Sequence, residues 1–165
     1  MTSFATSDLS PVDTYKLLTG LVVPRPIGWI GTVDADGRPN LAPYSFFNAV
    51  AGTPPTVLFS AGMASRGAKD SLANARATGE FTCNMVGMAV AEGMNQSSAE
   101  LAHGESEFDF AGLTPEPSID VAAPRVAEAK ASFECRLTQT VDLGDPVSNV
   151  VAFGEVVRFH VDDDV

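Results

Sequence analysis

The chain has 165 residues, is 45% hydrophobic and carries a formal net charge of −11. That length and apolar content suit one sizeable core, so a single domain over residues 1–165 is expected. The acidity, with no basic stripe, argues against nucleic acid and anionic membrane as partners.

No apolar run is long enough to span a bilayer, and no signal peptide is visible. The two cysteines, Cys83 and Cys135, are far apart and lack a metal or redox spacing. Reduced thiols in a cytoplasmic protein are the expected reading.

In chain order, Ser10-Pro11-Val12-Asp13 predicts a helix start, with Ser as cap and Pro in the first position. That helix should stop near Gly20. Pro24-Arg25-Pro26 then leads into a strand from Ile27 to Val33. The turn Asp34-Ala35-Asp36-Gly37 returns Arg38 to Ser45 antiparallel. A further strand is predicted from Thr56 to Ala61. Asp70 is expected to cap a helix, Ser71 to Thr78, that ends at Gly79.

Glu80 to Val86 alternates, with Phe81, Cys83 and Met85 on one face and Thr82, Asn84 and Val86 on the other. A short helix is expected within Met88 to Leu101, and Ala102 to Ser118 reads as a polar surface excursion. From Ala131 to Val141, Phe133, Cys135 and Leu137 should point inward, and Glu134 and Arg136 outward. The last strand, Val150 to Val161, groups Val151, Phe153, Val157, Phe159 and Val161 on one face. Arg158 and His160 share the other, which reads as partly exposed.

Hairpins outnumber helices, and strands and helices do not alternate as parallel units require. The predicted class is mainly β with peripheral helices, an antiparallel barrel closed or nearly so. The chain stops at Asp162-Asp163-Asp164-Val165, directly after a strongly patterned strand. A missing tail, a C-terminal truncation and a native end all fit that stop. The aspartate run itself reads as a solvated end rather than a metal site.

The stretch from Leu41 to Ser71 concentrates the candidate chemistry. Pro43-Tyr44-Ser45-Phe46-Phe47-Asn48 sets hydroxyl, amide and backbone groups beside flat apolar surface, which suits a planar polar heterocycle. Gly62 to Ser71 carries Ser65, Arg66 and Lys69 between a strand and a helix. It approaches a phosphate-cradling loop, but Ala68 and Asp70 displace Lys69 and Ser71 from the hydrolase pattern. Anion binding at a helix start remains, against the alternative of an ordinary glycine-rich loop. Trp29 is expected in the core or in dimer packing, and His103 in solvent. No triad order, metalloprotease motif or carboxylate pair marks a catalytic residue.

Together, Pro24-Arg25-Pro26-Ile27, Thr32-Val33-Asp34, Asp36-Gly37, Asn40, Ala42 to Asn48 and Pro54-Pro55 resemble the flavin reductase-like, FMN-binding family. Lys69-Asp70-Ser71, Gly79-Glu80-Phe81, Asn84, Ser97-Ser98, Glu107-Phe108, Gly112-Leu113, Glu134-Cys135 and Gly154-Glu155-Val156 extend the likeness along the chain.

The resemblance implies an FMN-binding split β-barrel working as a homodimer, with non-covalent FMN near the interface. It places Pro43, Tyr44, Ser45, Phe46 and Asn48 along the flavin ring with Ser60 nearby. Ser65 or Arg66, with Lys69, Asp70 and Ser71, would hold the phosphate. It implies an oxidoreductase, either an NAD(P)H-dependent flavin reductase or a flavoredoxin-like electron carrier without its own NAD(P)H turnover. No nicotinamide-binding fingerprint is present, so NAD(P)H would bind transiently over the flavin. The acceptor would be a flavin, a small molecule, or a partner monooxygenase or redox protein.

Overall fold

The computed structural model describes residues 1–63, 68–101 and 105–165. Helix α1 spans Pro11–Leu21; the Ser10 hydroxyl accepts the Asp13 N–H at 3.1 Å and donates to the Asp13 carboxylate at 2.6 Å. Nine strands follow: β1 Gly28–Val33, β2 Pro39–Tyr44, β3 Phe47–Gly52, β4 Pro55–Gly62, β5 Glu80–Met85, β6 Pro115–Glu116, β7 Arg125–Val126, β8 Ala131–Leu143 and β9 Asn149–Val161. Between them lie α2 (Asp70–Thr78), α3 (Ala91–Gln96) and α4 (Glu107–Phe110).

Seven strands form one antiparallel sheet in the order β2-β1-β5-β8-β9-β4-β3, and β6 pairs with β7. The outer strands β2 and β3 adjoin in sequence without pairing, so the barrel is split where the chain passes between them. The rings of Tyr44 and Phe59 meet across that split, 5.1 Å between centroids. The interior holds Ile30, Phe47, Val57, Phe59, Phe81, Cys83, Cys135, Val150, Ala152 and Val156, with Leu72 and Ala75 of α2 packed in.

A second cluster lies on the outer face of β1 and β2, where Trp29, Leu41 and Val126 pack with Phe108 of α4. The Trp29 indole N–H donates to Ser97 Oγ at 2.8 Å, tying the segment after α3 to the sheet. Asn84 joins the same layer: its amide donates to the Trp29 carbonyl, and its oxygen accepts from Val126 N–H and Ser132 Oγ.

Several expectations change. Asp70 is the first residue of α2 and makes no capping bond; Lys69 holds the cap position. Its carboxylate still lies in the first turn, where the helix dipole favours a negative charge. Gly79 does terminate α2, at φ +75°. Strand β3 was not anticipated, because its exposed residues from Asn48 onward lack an apolar alternation. The segment after residue 104 is not wholly a surface excursion, since Phe108 is fully buried.

Glu134 does face away from the barrel interior, opposite Phe133 and Cys135, but it is fully buried because the segment from Ile119 to Val121 covers that face. It accepts N–H bonds from Ile119, Asp120 and Val121, and His160 Nε2 lies 2.6 Å from the oxygen that takes Ile119. His160 is therefore half-buried against a carboxylate, and Arg158 pairs with Asp120 at 2.6 Å.

On β9 the core face is Val150, Ala152, Gly154 and Val156, not the bulkier alternate set. The reason is space. The Phe81 ring packs against Gly154, where a Cβ would come within 2.3 Å of it. Small barrels alternate small and large inward residues to fit their taper. The bulky set is displaced to the other side, leaving Phe159 56% exposed beside Phe133.

Candidate functional site

Along β2, residues two apart share a face, and Asn40, Ala42 and Tyr44 line one wall of a cleft of about 340 Å³. The start of α2 supplies a second wall, with Ala68, Lys69, Asp70 and Ser71. Ser97 to Leu101 and Glu107 close the third side, held there by Trp29 and Phe108 in the outer cluster. The volume falls within the ordinary range for a small-ligand site, roughly 300–1,000 Å³.

The polar groups in this cleft are unevenly satisfied. Asn40 donates to Ser71 Oγ at 2.9 Å, and Ser71 is almost fully buried. Glu107 accepts the Leu41 N–H at 3.2 Å. Ser98 Oγ donates to the Asn95 carbonyl at 2.6 Å. Among the described residues the buried Tyr44 hydroxyl has no hydrogen-bond partner. Burial pushes the Tyr44 phenol up to about 12, with the Asp70 and Glu107 carboxylates adding to the rise. Ser71 eases that shift from nearby, without closing a hydrogen bond. Burial also raises the Glu107 carboxyl, with Asp70 adding, against the lowering effect of backbone N–H groups.

Of the site residues expected from sequence, Tyr44, Lys69, Asp70 and Ser71 converge on the cleft. Pro43, Ser45, Phe46, Asn48 and Ser60 do not line it. Phe46 contacts Tyr15 of α1, ring centroids 6.5 Å apart. The Asn48 side chain accepts the Ala49 N–H from an exposed position. Ser60 accepts from Asn149 at 3.4 Å, on the far strands of the sheet. Ser65, Arg66 and His103 lie outside the described residues.

Asn40, Ser98 and Glu107 were not singled out as site residues. The β2 period could have revealed Asn40, which sits four residues before Tyr44. Glu107 and Ser98 reach the cleft only through tertiary packing of α4 and the segment after α3. Among the described residues no helix is long and apolar enough to cross a membrane, and no cluster of metal-ligating side chains appears.

The model of the flavin reductase like domain matches residues 20–165. The chain belongs to the flavin reductase-like family. A relative from Aquifex aeolicus (strain VF5), described as an uncharacterized protein, is 45% identical over 152 residues, covering 92% of this chain and 76% of its own length. Among solved structures, nitrilotriacetate monooxygenase component B from Bacillus cereus superposes with a TM-score of 0.96 at 36% identity. That match covers 99% of this chain and 83% of that one. The 2-nitrobenzoate 2-nitroreductase NbaA of Pseudomonas fluorescens gives 0.89 at 30% identity, covering 99% and 78%. A split barrel domain from Shewanella frigidimarina gives 0.86 at 27% identity, covering 99% and 82%. The barrel of this family member is thus a split β-barrel, mainly β with peripheral helices, and its family chemistry is that of flavin-using oxidoreductases.

Proposed function

We propose that this chain is an FMN-binding flavoprotein that oxidises NADH or NADPH and reduces flavin, working as a homodimer in the cytoplasm. The observation that carries the reading is a family-typical barrel whose β2–α2 cleft keeps a buried Tyr44 hydroxyl, without a partner among the described residues, beside Lys69 and Ser71. A buried polar atom without a partner is expensive in a folded protein unless a ligand satisfies it. The mixed donors and acceptors of the cleft fit the hydroxylated chain of a flavin nucleotide. Lys69, at the start of α2, suits its phosphate.

Bound flavin would supply the hydride and electron transfer, and this chain's residues supply position and charge. Lys69 and the first turn of α2 would hold the phosphate, together with Ser65 or Arg66. Tyr44, Ser71 and Asn40 would fix the chain that follows. Pro43, Ser45, Phe46, Asn48 and Ser60 lie away from the cleft walls, so their contact with the ring would be made at the dimer seam.

The homodimer is supported by apolar surface that one chain leaves uncovered. Trp29 and Phe47 do not contribute to it, being buried within the chain. Instead Tyr15, Leu18 and Leu21 of α1 and the Val22 that follows it are exposed, as are Val157, Phe159 and Val161 of β9. Apolar side chains exposed along one helix and one strand favour a symmetric partner. By likeness to a monooxygenase component B, the acceptor downstream would be a partner monooxygenase drawing on reduced flavin.

The test is purification followed by absorbance and turnover measurements. A yellow protein with the flavin bands of FMN, oxidising NADH or NADPH when free flavin is added, is expected. A yellow protein that never oxidises a nicotinamide but accepts electrons from a reductase would instead be a flavoredoxin-like carrier. A colourless protein that binds no added flavin would end the proposal. Light scattering should report twice the chain mass; a stable FMN-loaded monomer would refute the dimer.

A further inference from the structure

We propose that residues 117–124 form an acid-released strap, latched over β5, β8 and β9 by the carboxylates of Glu134 and Glu80, and that its release loosens the α4 wall of the cleft.

Four successive backbone N–H groups of this segment meet side-chain carboxylates of the sheet. Ile119 donates to Glu134 Oε1 at 2.9 Å, and Asp120 and Val121 donate to Oε2 at 2.6 and 3.1 Å. Ala122 donates to Glu80 at 2.8 Å. Among the described residues no backbone–backbone hydrogen bond ties residues 117–123 to the sheet. Val121 and Ala123 are the buried apolar residues of the segment, and Ile119 is 66% exposed. Two small side chains bury little apolar area, so the carboxylates supply most of the attachment.

The two ends are fastened differently. At the far end the Thr82 hydroxyl donates to the Pro124 carbonyl at 2.7 Å, and Asn84 accepts the Val126 N–H. Those groups do not titrate. The near end leads to the cleft. Leu113 packs into the Trp29 cluster with Phe108 of α4, and the Thr114 N–H rests on the Glu128 carboxylate at 3.0 Å. Once the latch is open, the segment after α4 keeps only its packing and that second carboxylate.

The charges around the latch come from every element packed there. His160 and Arg158 face Glu134 from β9, and Arg136 follows it on β8. Asp120 sits on the strap, paired with Arg158, and Glu80 lies on β5. Burial raises the Glu134 carboxyl, but the Ile119 N–H, His160 and the Asp120 N–H together hold it below its ordinary value. An open strap withdraws those N–H groups, and the carboxyl then takes a proton more readily. Acid therefore favours opening, and neutral pH favours closure.

Amide hydrogen exchange on the whole chain, corrected for the intrinsic effect of pH, tests the strap. At pH 7 the amides of Ile119 to Ala122 should share one opening, more frequent than that of β5 and β9 and insensitive to low urea. Their protection should fall about three- to sixfold from pH 5 to pH 3.5, as a Glu of ordinary value gains its proton. Glu134→Gln at neutral pH should lose about a hundredfold or more at these amides and show no such acid response. Glu80→Gln should lose about two- to fivefold at Ala122, and it decides the matter together with wild type if Glu134→Gln does not fold. The amides of Ala111 and Leu113, bonded to the Glu107 and Phe108 carbonyls, should loosen with the strap. Strap amides that open only with the whole sheet, an acid response that survives in Glu134→Gln, or an unchanged Ala122 in Glu80→Gln would each overturn the latch. Ala111 and Leu113 unmoved while the strap opens would overturn its link to the cleft. None of these outcomes depends on flavin binding.

Discussion

Replacing Glu134 by Gln changes one atom in a fully buried side chain and should still destabilise the fold substantially. The carboxylate accepts Ile119 N–H at 2.9 Å on one oxygen, beside His160 Nε2 at 2.6 Å. Asp120 N–H at 2.6 Å and Val121 N–H at 3.1 Å meet the other. Glutamine has one acceptor and one donor, so its NH2 group must face backbone donors on one side. The less damaging choice turns it toward Ile119, since His160 can then accept at Nε2.

That arrangement strands one buried N–H, at about 1–3 kcal/mol. The remaining bonds to Asp120 and Val121 lose their charge assistance, about 1 kcal/mol each. The sum is about 3–5 kcal/mol, a fall in the urea midpoint of roughly 1–5 M for ordinary slopes. Glu80, which is only half-buried and accepts a single N–H from Ala122 at 2.8 Å, is the internal comparison. Glu80→Gln should lose no more than about 1 kcal/mol.

The pH dependence has a definite sign. Burial alone would raise the Glu134 carboxyl, but the Ile119 N–H, His160 and the Asp120 N–H outweigh it and hold it below its ordinary value. The unfolded chain therefore takes up this proton first as acid is added. The stabilisation is fully present above the ordinary Glu value and is lost as pH falls through the depressed one. The gap between wild type and Glu134→Gln should narrow on titration from roughly pH 6 to pH 3. A Gln variant within about 0.5 kcal/mol of wild type at neutral pH would refute this account of the network.

Other outcomes follow from single residues. Asn84→Ala strips partners from the Trp29 carbonyl, Val126 N–H and Ser132 Oγ, and should lose about 3–6 kcal/mol in urea or thermal unfolding. Burial raises the thiols of both Cys83 and Cys135, helped by Cys135 beside the first and Glu134 beside the second. Native alkylation should accordingly be slow, and a folded Cys83→Ser/Cys135→Ser chain should still reduce flavin. Lys69→Ala and Arg66→Ala should each weaken FMN by about 1.5–3 kcal/mol in a titration while leaving the unfolding midpoint near wild type. Unchanged affinity in both would remove the phosphate from this loop.

Local chemistry wrote much of this molecule into its sequence. Ser10-Pro11 starts α1, the Asp34 to Gly37 turn folds β1 onto β2, and Gly79 ends α2, because caps and turns are satisfied within a few residues. The family likeness was legible for the same reason, since its motifs run in order along the chain. Tyr44, Lys69, Asp70 and Ser71 could be named from one segment, although only packing brings β2 and α2 to a common cleft.

What the tertiary structure decided depends on neighbours distant in sequence. Apolar alternation identified β9 as a strand but not which face turns inward. Phe81 resting on Gly154 settled that by space rather than hydrophobicity. Glu134 looked like a surface charge until three backbone N–H groups, 13 to 15 residues away, closed over it. Glu107 reaches the cleft because Phe108, its neighbour on α4, is buried against Trp29 and Leu41. Burial and hydrogen-bond satisfaction are properties of the assembled barrel, and no local stretch of sequence contains them.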